Sequence, residues 1–88
     1  MQLNRAESNL DARTRAEIKA EMGRQSLSGS RLAQLLGHPQ TYVSRRLRGE
    51  VNFSLTEVEE IALVLGVSLD QLMPTSKFHP RRQARRVS

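Results

Sequence analysis

Residues 37–39 read Gly-His-Pro, and they compel the chain to turn between two short apolar-periodic segments. Ahead of them, Leu32, Leu35 and Leu36 recur at the i, i+3, i+4 spacing of one helix face, and Ser28 stands where an N-cap would satisfy the first free amides. Gly37 suits the left-handed residue that ends such a helix. Pro39 suits the first turn of a second helix, because its missing N–H would have no partner there. That second helix is expected over residues 39–48, closed by Gly49, with Val43 and Leu47 turned inward. Two short helices joined so tightly must cross near their junction. Ala33 lies near the crossing, where a larger side chain would hold them apart.

Three further helices frame this pair. One is expected over residues 11–24, with Ser8, Asn9 or Asp11 as its cap, a later capping box from Thr14 and Glu17, and Ile18 and Met22 on its buried face. Another spans 54–65, capped by Ser54 with Glu57 at the capping-box spacing, and turns Leu55, Val58, Ile61, Ala62 and Leu65 inward. A short one covers 68–73, with Ser68 as cap and Pro74 beyond it. No stretch alternates with the period of a strand. The expected fold is therefore all-α: a compact five-helix domain at 11–74 built around a helix-turn-helix, preceded by an N-terminal extension over 1–10. Residues 75–88 read as a flexible basic arm or the start of a linker. With 88 residues there is room for one core, and with 3% aromatics and no tryptophan that core must be aliphatic.

Charge is segregated along the chain. Residues 31–48 carry four arginines and no acid, residues 49–76 carry five acids and no base, and residues 77–88 carry five bases and no acid. Such segregation favours a polyanion on one side, although clustering on solvated faces would look the same. The absence of cysteine removes disulfides and thiolate metal sites and fits a reducing bacterial cytoplasm or nucleoid. No apolar run approaches the ~18 residues of a membrane span. His38 and His79 have no companion at metal spacing, and there is no Gly-rich phosphate loop or supported nucleophile. No enzyme activity and no cofactor are expected.

On the 39–48 helix, Gln40, Thr41, Ser44, Arg45 and Arg48 fall within an arc of roughly 140° at 100° per residue. Their chemistry suits base edges: Gln pairs with adenine N6 and N7, Arg forks onto guanine O6 and N7, and Thr meets the thymine methyl. Gln40, Thr41, Ser44 and Arg45 occupy the part of the helix that faces bases in helix-turn-helix proteins, and Arg48, farther along, suits phosphate. Tyr42 flanks this face. Arg46 is expected to pack its stem at the apolar edge while its head reaches out.

The segments "LSGSRLAQLLG", "TYVSRRLRGE" and "SLTEVEEIALVLGVSLDQL" resemble the Cro and phage-repressor helix-turn-helix family, of the xenobiotic-response-element type, over residues 18–72. The matching features are Leu32-Ala33, the turn glycine Gly37, Val43-Ser44, Arg48-Gly49 and the closing run Leu65 to Asp70. The resemblance implies a lambda-repressor-like domain that inserts the 39–48 helix into the major groove. By matching position it implies base contacts for Gln40, Thr41 and Arg45, a base or backbone contact for Ser44, and phosphate contacts for Tyr42 and Arg48. Arg46, where the family often carries a large apolar residue, becomes a further phosphate candidate. Arg31 and, in the arm, Arg81, Arg82, Arg85 and Arg86 complete the expected backbone set. Two departures stand out: Gly29 replaces the usual Gln at the start of the first helix of the pair, and Met22 with Leu47 replaces a common Arg–Glu pair, so an apolar Met22–Leu47 contact is expected.

The expected function is a sequence-specific, double-stranded DNA-binding transcriptional regulator, most simply a phage or bacterial repressor acting on an operator, as a homodimer in many family members. The acids Glu57, Glu59 and Glu60 form either a solvated face or a contact for polymerase or another protein. An antitoxin-like protein-interaction module and a DNA-architecture or excision factor stay open as alternatives.

Overall fold

The computed structural model describes residues 9–74, which form five helices and no strand. They are α1 (Leu10–Arg24), α2 (Gly29–Leu36), α3 (Gln40–Leu47), α4 (Leu55–Leu65) and α5 (Leu69–Leu72). The extension and the basic arm fall largely outside this range, so Arg81, Arg82, Arg85 and Arg86 lie outside the described residues.

Each helix begins at a side chain that accepts an otherwise unpaired amide, except α3. Of the three candidate caps of α1, Asn9 serves, accepting from the Ala12 amide at 2.9 Å. The later capping box at Thr14 does not form, because α1 is already running there and Thr14 is buried within it. Ser28 caps α2 through the Arg31 amide at 3.0 Å. Ser54 and Glu57 form the reciprocal capping box of α4, and Ser68 with Gln71 forms a second one on α5 that sequence reading had not singled out. Pro39 sits one position earlier than expected, at the N-cap of α3 rather than inside its first turn, with an extended backbone (φ −62°, ψ 150°) and no side chain able to cap. The α3 helix is correspondingly shorter than 39–48: Arg48 is its C-cap, and Gly49 follows with φ +85°.

Helices α2 and α3 pack on each other, α1 lies against α3, α4 and α5, and α4 supports both α2 and α5. Ile18, Met22, Leu32, Ala33, Val43, Val58, Ile61, Ala62, Leu65 and Leu72 form a single buried cluster, with Leu36 and Leu47 packed against it. Two expected core positions are exposed. Leu35 is 43% exposed because it lies roughly 110° from the centre of the arc spanned by Leu32, Leu36 and Ala33. Leu55 is 71% exposed: Phe53 and Val58, at the two positions of a hydrophobic staple, turn inward at this end of α4 and leave Leu55 at the rim. The α1–α2 loop is tied down by Gln25, whose amide donates to Glu21 and to the Leu65 carbonyl, each at 2.8 Å.

Candidate nucleic-acid interface

The turn that separates α2 from α3 sets the surface between them. Gly37 takes the left-handed conformation (φ +75°), its N–H returning to α2, and His38 donates its amide to the Ala33 carbonyl at 3.0 Å. Val43, only 1% exposed, then anchors α3 with its opposite face outward. Across a shallow groove, Ser28, Gly29 and Ser30 at the start of α2 face Gln40, Ser44, Leu47 and Arg48 of α3. Packing does not demand a glycine at 29. A Cβ added there would meet the Leu47 Cδ1 at 3.6 Å, an ordinary contact, so the glycine and the leucine that depart from the family pattern are neighbours. Met22 is buried in the cluster against which Leu47 packs.

The outward residues of α3 differ in how free they are. Gln40 and Thr41 are exposed, and no hydrogen bond within the described residues engages either side chain. Ser44 donates its hydroxyl back to the Gln40 carbonyl at 3.2 Å, which leaves its oxygen as an acceptor. Arg45 and Arg48 are both exposed and both turned toward Glu50: Arg45 Nε lies 3.5 Å from one carboxylate oxygen, and Arg48 Nε donates to the other at 2.7 Å. The hydrogen bond from Arg48 is the main reason the Glu50 carboxyl is held below its ordinary pKa, with the charges of Arg48 and Arg45 adding to it. A second concavity brings Arg31 and His38 beside Gln40; Arg31 is exposed and donates to Gln34 at 2.8 Å.

Tyr42 and Arg46 have partners inside the fold. The Tyr42 hydroxyl donates to Glu57, Arg46 Nε donates to the other oxygen of the same carboxylate at 3.2 Å, and Arg46 also reaches the Tyr42 carbonyl. The Arg46 guanidinium lies 3.7 Å from the centre of the Tyr42 ring, and His38 stacks on that ring with centroids 3.9 Å apart. The expectation that the head of Arg46 reaches out is corrected: its side chain is 17% exposed and the head turns inward to Glu57. Burial, and then the bond to Glu57, push the Tyr42 phenol up to about 12. Burial alone would raise the Glu57 carboxyl, but Tyr42, the Ser54 amide and Arg46 together hold it below its ordinary value. Glu57 is therefore not part of a free acidic face; Glu59 and Glu60 are what α4 leaves exposed.

Sequence reasoning missed both carboxylates as partners of α3. Tyr42 and Arg46 are four residues apart on α3, a spacing that signals their contact, whereas His38 reaches the stack from the turn before the helix. Glu50 was visible as the lone acid at the end of the basic stretch, but its return onto Arg45 depends on the left-handed Gly49, after which the Glu50 amide donates to the Arg45 carbonyl at 2.9 Å.

Two short helices joined by a tight glycine-containing turn form the helix-turn-helix pattern, and a helix-turn-helix family model matches residues 18–72. The chain belongs to the Cro/C1-type helix-turn-helix family. The crystal structure of a hypothetical transcription factor, NHTF, from Neisseria is similar to this chain, with 30% identity, a TM-score of 0.71, and coverage of 82% of this chain and 85% of that one. No curated protein matches the chain. Among the described residues no helix is long and apolar enough to cross a membrane.

Proposed function

We propose that this protein is a repressor of phage or bacterial type, which occupies a DNA operator through α3 and thereby excludes polymerase. Membership of the family makes the protein a DNA-binding regulator of transcription. Operator reading through α3 is supported above all by one observation: Gln40, Thr41 and Arg45 project from the outward side of a helix whose inward side is locked by Val43. In this reading Gln40, Thr41 and Arg45 contact base edges in the major groove, and Ser44 adds an acceptor. Arg48 and Arg31 anchor phosphates, joined by Arg81, Arg82, Arg85 and Arg86 of the arm. Tyr42 and Arg46 brace α3 through Glu57, and a phosphate contact from either would compete with that carboxylate. Binding as a homodimer puts two α3 helices in successive major grooves, about 34 Å apart on a two-fold operator.

Selection of bound sequences from a random duplex pool tests this directly, and the expected outcome is a palindromic consensus. On that consensus, Arg45→Ala should cost about 1–3 kcal/mol and relax preference at one base pair. A uniform loss on every sequence would make Arg45 a phosphate contact instead. A second reading, a protein-interaction module, is favoured by Leu55 and Leu63, which are 71% and 78% exposed on α4 beside Glu59 and Glu60. A stable complex with a partner protein, together with no consensus from the pool, would favour it over DNA recognition.

A further inference from the structure

Glu50 is the single acid between residues 22 and 56, and it touches both arginines at the C-terminal end of the reading helix. Helix stability does not account for it. A carboxylate at a helix C-terminus opposes the helix dipole, and ion pairs as exposed as these, about half-exposed on both partners, contribute little to folding. The backbone nevertheless delivers it there. Gly49 adopts φ +85°, the Gly49 amide donates to the Arg46 carbonyl at 3.1 Å, and the Glu50 amide closes onto the Arg45 carbonyl, so the side chain is folded back over the last turn of α3.

The geometry points to Glu50 as a specificity-determining residue that occupies Arg45 and Arg48 in the free protein and competes with DNA phosphate for them. The inference rests on the DNA-reading role of α3. A phosphate arriving at Arg48 finds a carboxylate already seated on Nε at 2.7 Å and must displace it or lie beside its negative charge. On a random sequence the gain from phosphate is therefore partly cancelled. On the preferred site Arg45, held more loosely at 3.5 Å, leaves Glu50 for a bidentate guanine edge that compensates for the broken pair. Glu50 thus weakens non-specific binding more than specific binding. It also reduces the number of counterions that the two arginines release on DNA, because both are already partly neutralised.

The test is Glu50→Gln in the full 88-residue chain. Glutamine keeps the shape and one acceptor oxygen while removing the charge, and the position is exposed enough for the variant to fold. Affinities are measured across a salt series for the selected consensus duplex and for a random-sequence duplex, with retention on heparin as a sequence-free polyanion and thermal unfolding as the control. The expected result is about tenfold tighter binding to random duplex, no more than about threefold on the consensus, a salt slope on random duplex steeper by about 0.9, and later elution from heparin. Equal changes on both duplexes, or an unchanged slope and heparin elution with unchanged melting, overturn the role of Glu50. Failure of the wild-type chain to bind either duplex overturns the DNA reading instead, and the heparin comparison still decides whether Glu50 masks the two arginines from a polyanion.

Discussion

Tyr42 is the chain's sole tyrosine, so its ionisation can be followed without interference. Its phenol is raised by burial and by the bond to Glu57 to about 12, from 10.0 for an unperturbed group. The folded state thus favours the protonated phenol. The sign follows from proton binding: between the two values the unfolded chain loses the Tyr42 proton while the folded chain keeps it, so unfolding becomes easier as pH rises. The stabilisation is fully present below pH 10.0 and is lost as pH approaches 12. Denaturant unfolding of wild type and Tyr42→Phe across this window should show the alkaline decline steeper in the wild type, the difference isolating Tyr42 from the lysines. At neutral pH the same variant should be less stable by about 1 kcal/mol, because Glu57 loses one donor while keeping Arg46 and the Ser54 amide. Glu57 is the residue on which these interactions converge. It caps α4 and holds two side chains of α3, so a single carboxylate ties α3 to the start of α4.

At the scale of elements, the two ends of α3 are built differently. Its start relies on Pro39 and the left-handed Gly37, with no side-chain cap, whereas its end relies on Gly49. Glycine is favoured at 49 because φ is +85°, and an added Cβ would also lie 3.0 Å from the Arg15 Cζ. Gly49→Ala should therefore destabilise the fold by about 1–2 kcal/mol, chiefly through the left-handed backbone, since the arginine tip can move aside. Gly23 is the contrast. It lies inside α1 with open space around a hypothetical Cβ, so Gly23→Ala should stabilise by up to about 1 kcal/mol. Thermal unfolding of the two variants should move in opposite directions. The same distinction explains what could be read without coordinates. The α4 capping box and the Gly37–Pro39 turn are local patterns in which neighbouring residues settle the backbone. Leu35 and Leu55 looked buried because periodicity alone does not say how wide a face its neighbours cover. The contacts of Glu57 with Tyr42 and Arg46 span 15 and 11 residues, and they follow from how the start of α4 lies against α3, which no short window of sequence contains.

At the scale of the whole molecule, basic charge occurs in two blocks that serve different purposes in the proposed complex. The block at 31–48 contains residues that the fold constrains: Arg46 is bound to Glu57, while Arg45 and Arg48 are engaged by Glu50. Residues 79–88 hold four arginines and no acid in the sequence that could mask them locally. If that arm follows the phosphate backbone, its contribution is electrostatic and indifferent to base sequence. Deleting residues 79–88 should then weaken consensus and random duplex by similar factors, leaving their ratio nearly unchanged. Each lost phosphate contact should flatten the slope of log K against log salt by about 0.9, so the loss is at most about 3.6 for the four arginines. Glu50→Gln acts in the opposite sense, steepening the slope and lowering the ratio. Measuring the two variants together separates the two proposed roles, overall affinity for the arm and discrimination for the α3 surface. An unchanged slope on deletion would remove the arm from the interface, and a lowered consensus-to-random ratio would mean that it contacts bases as well as phosphates.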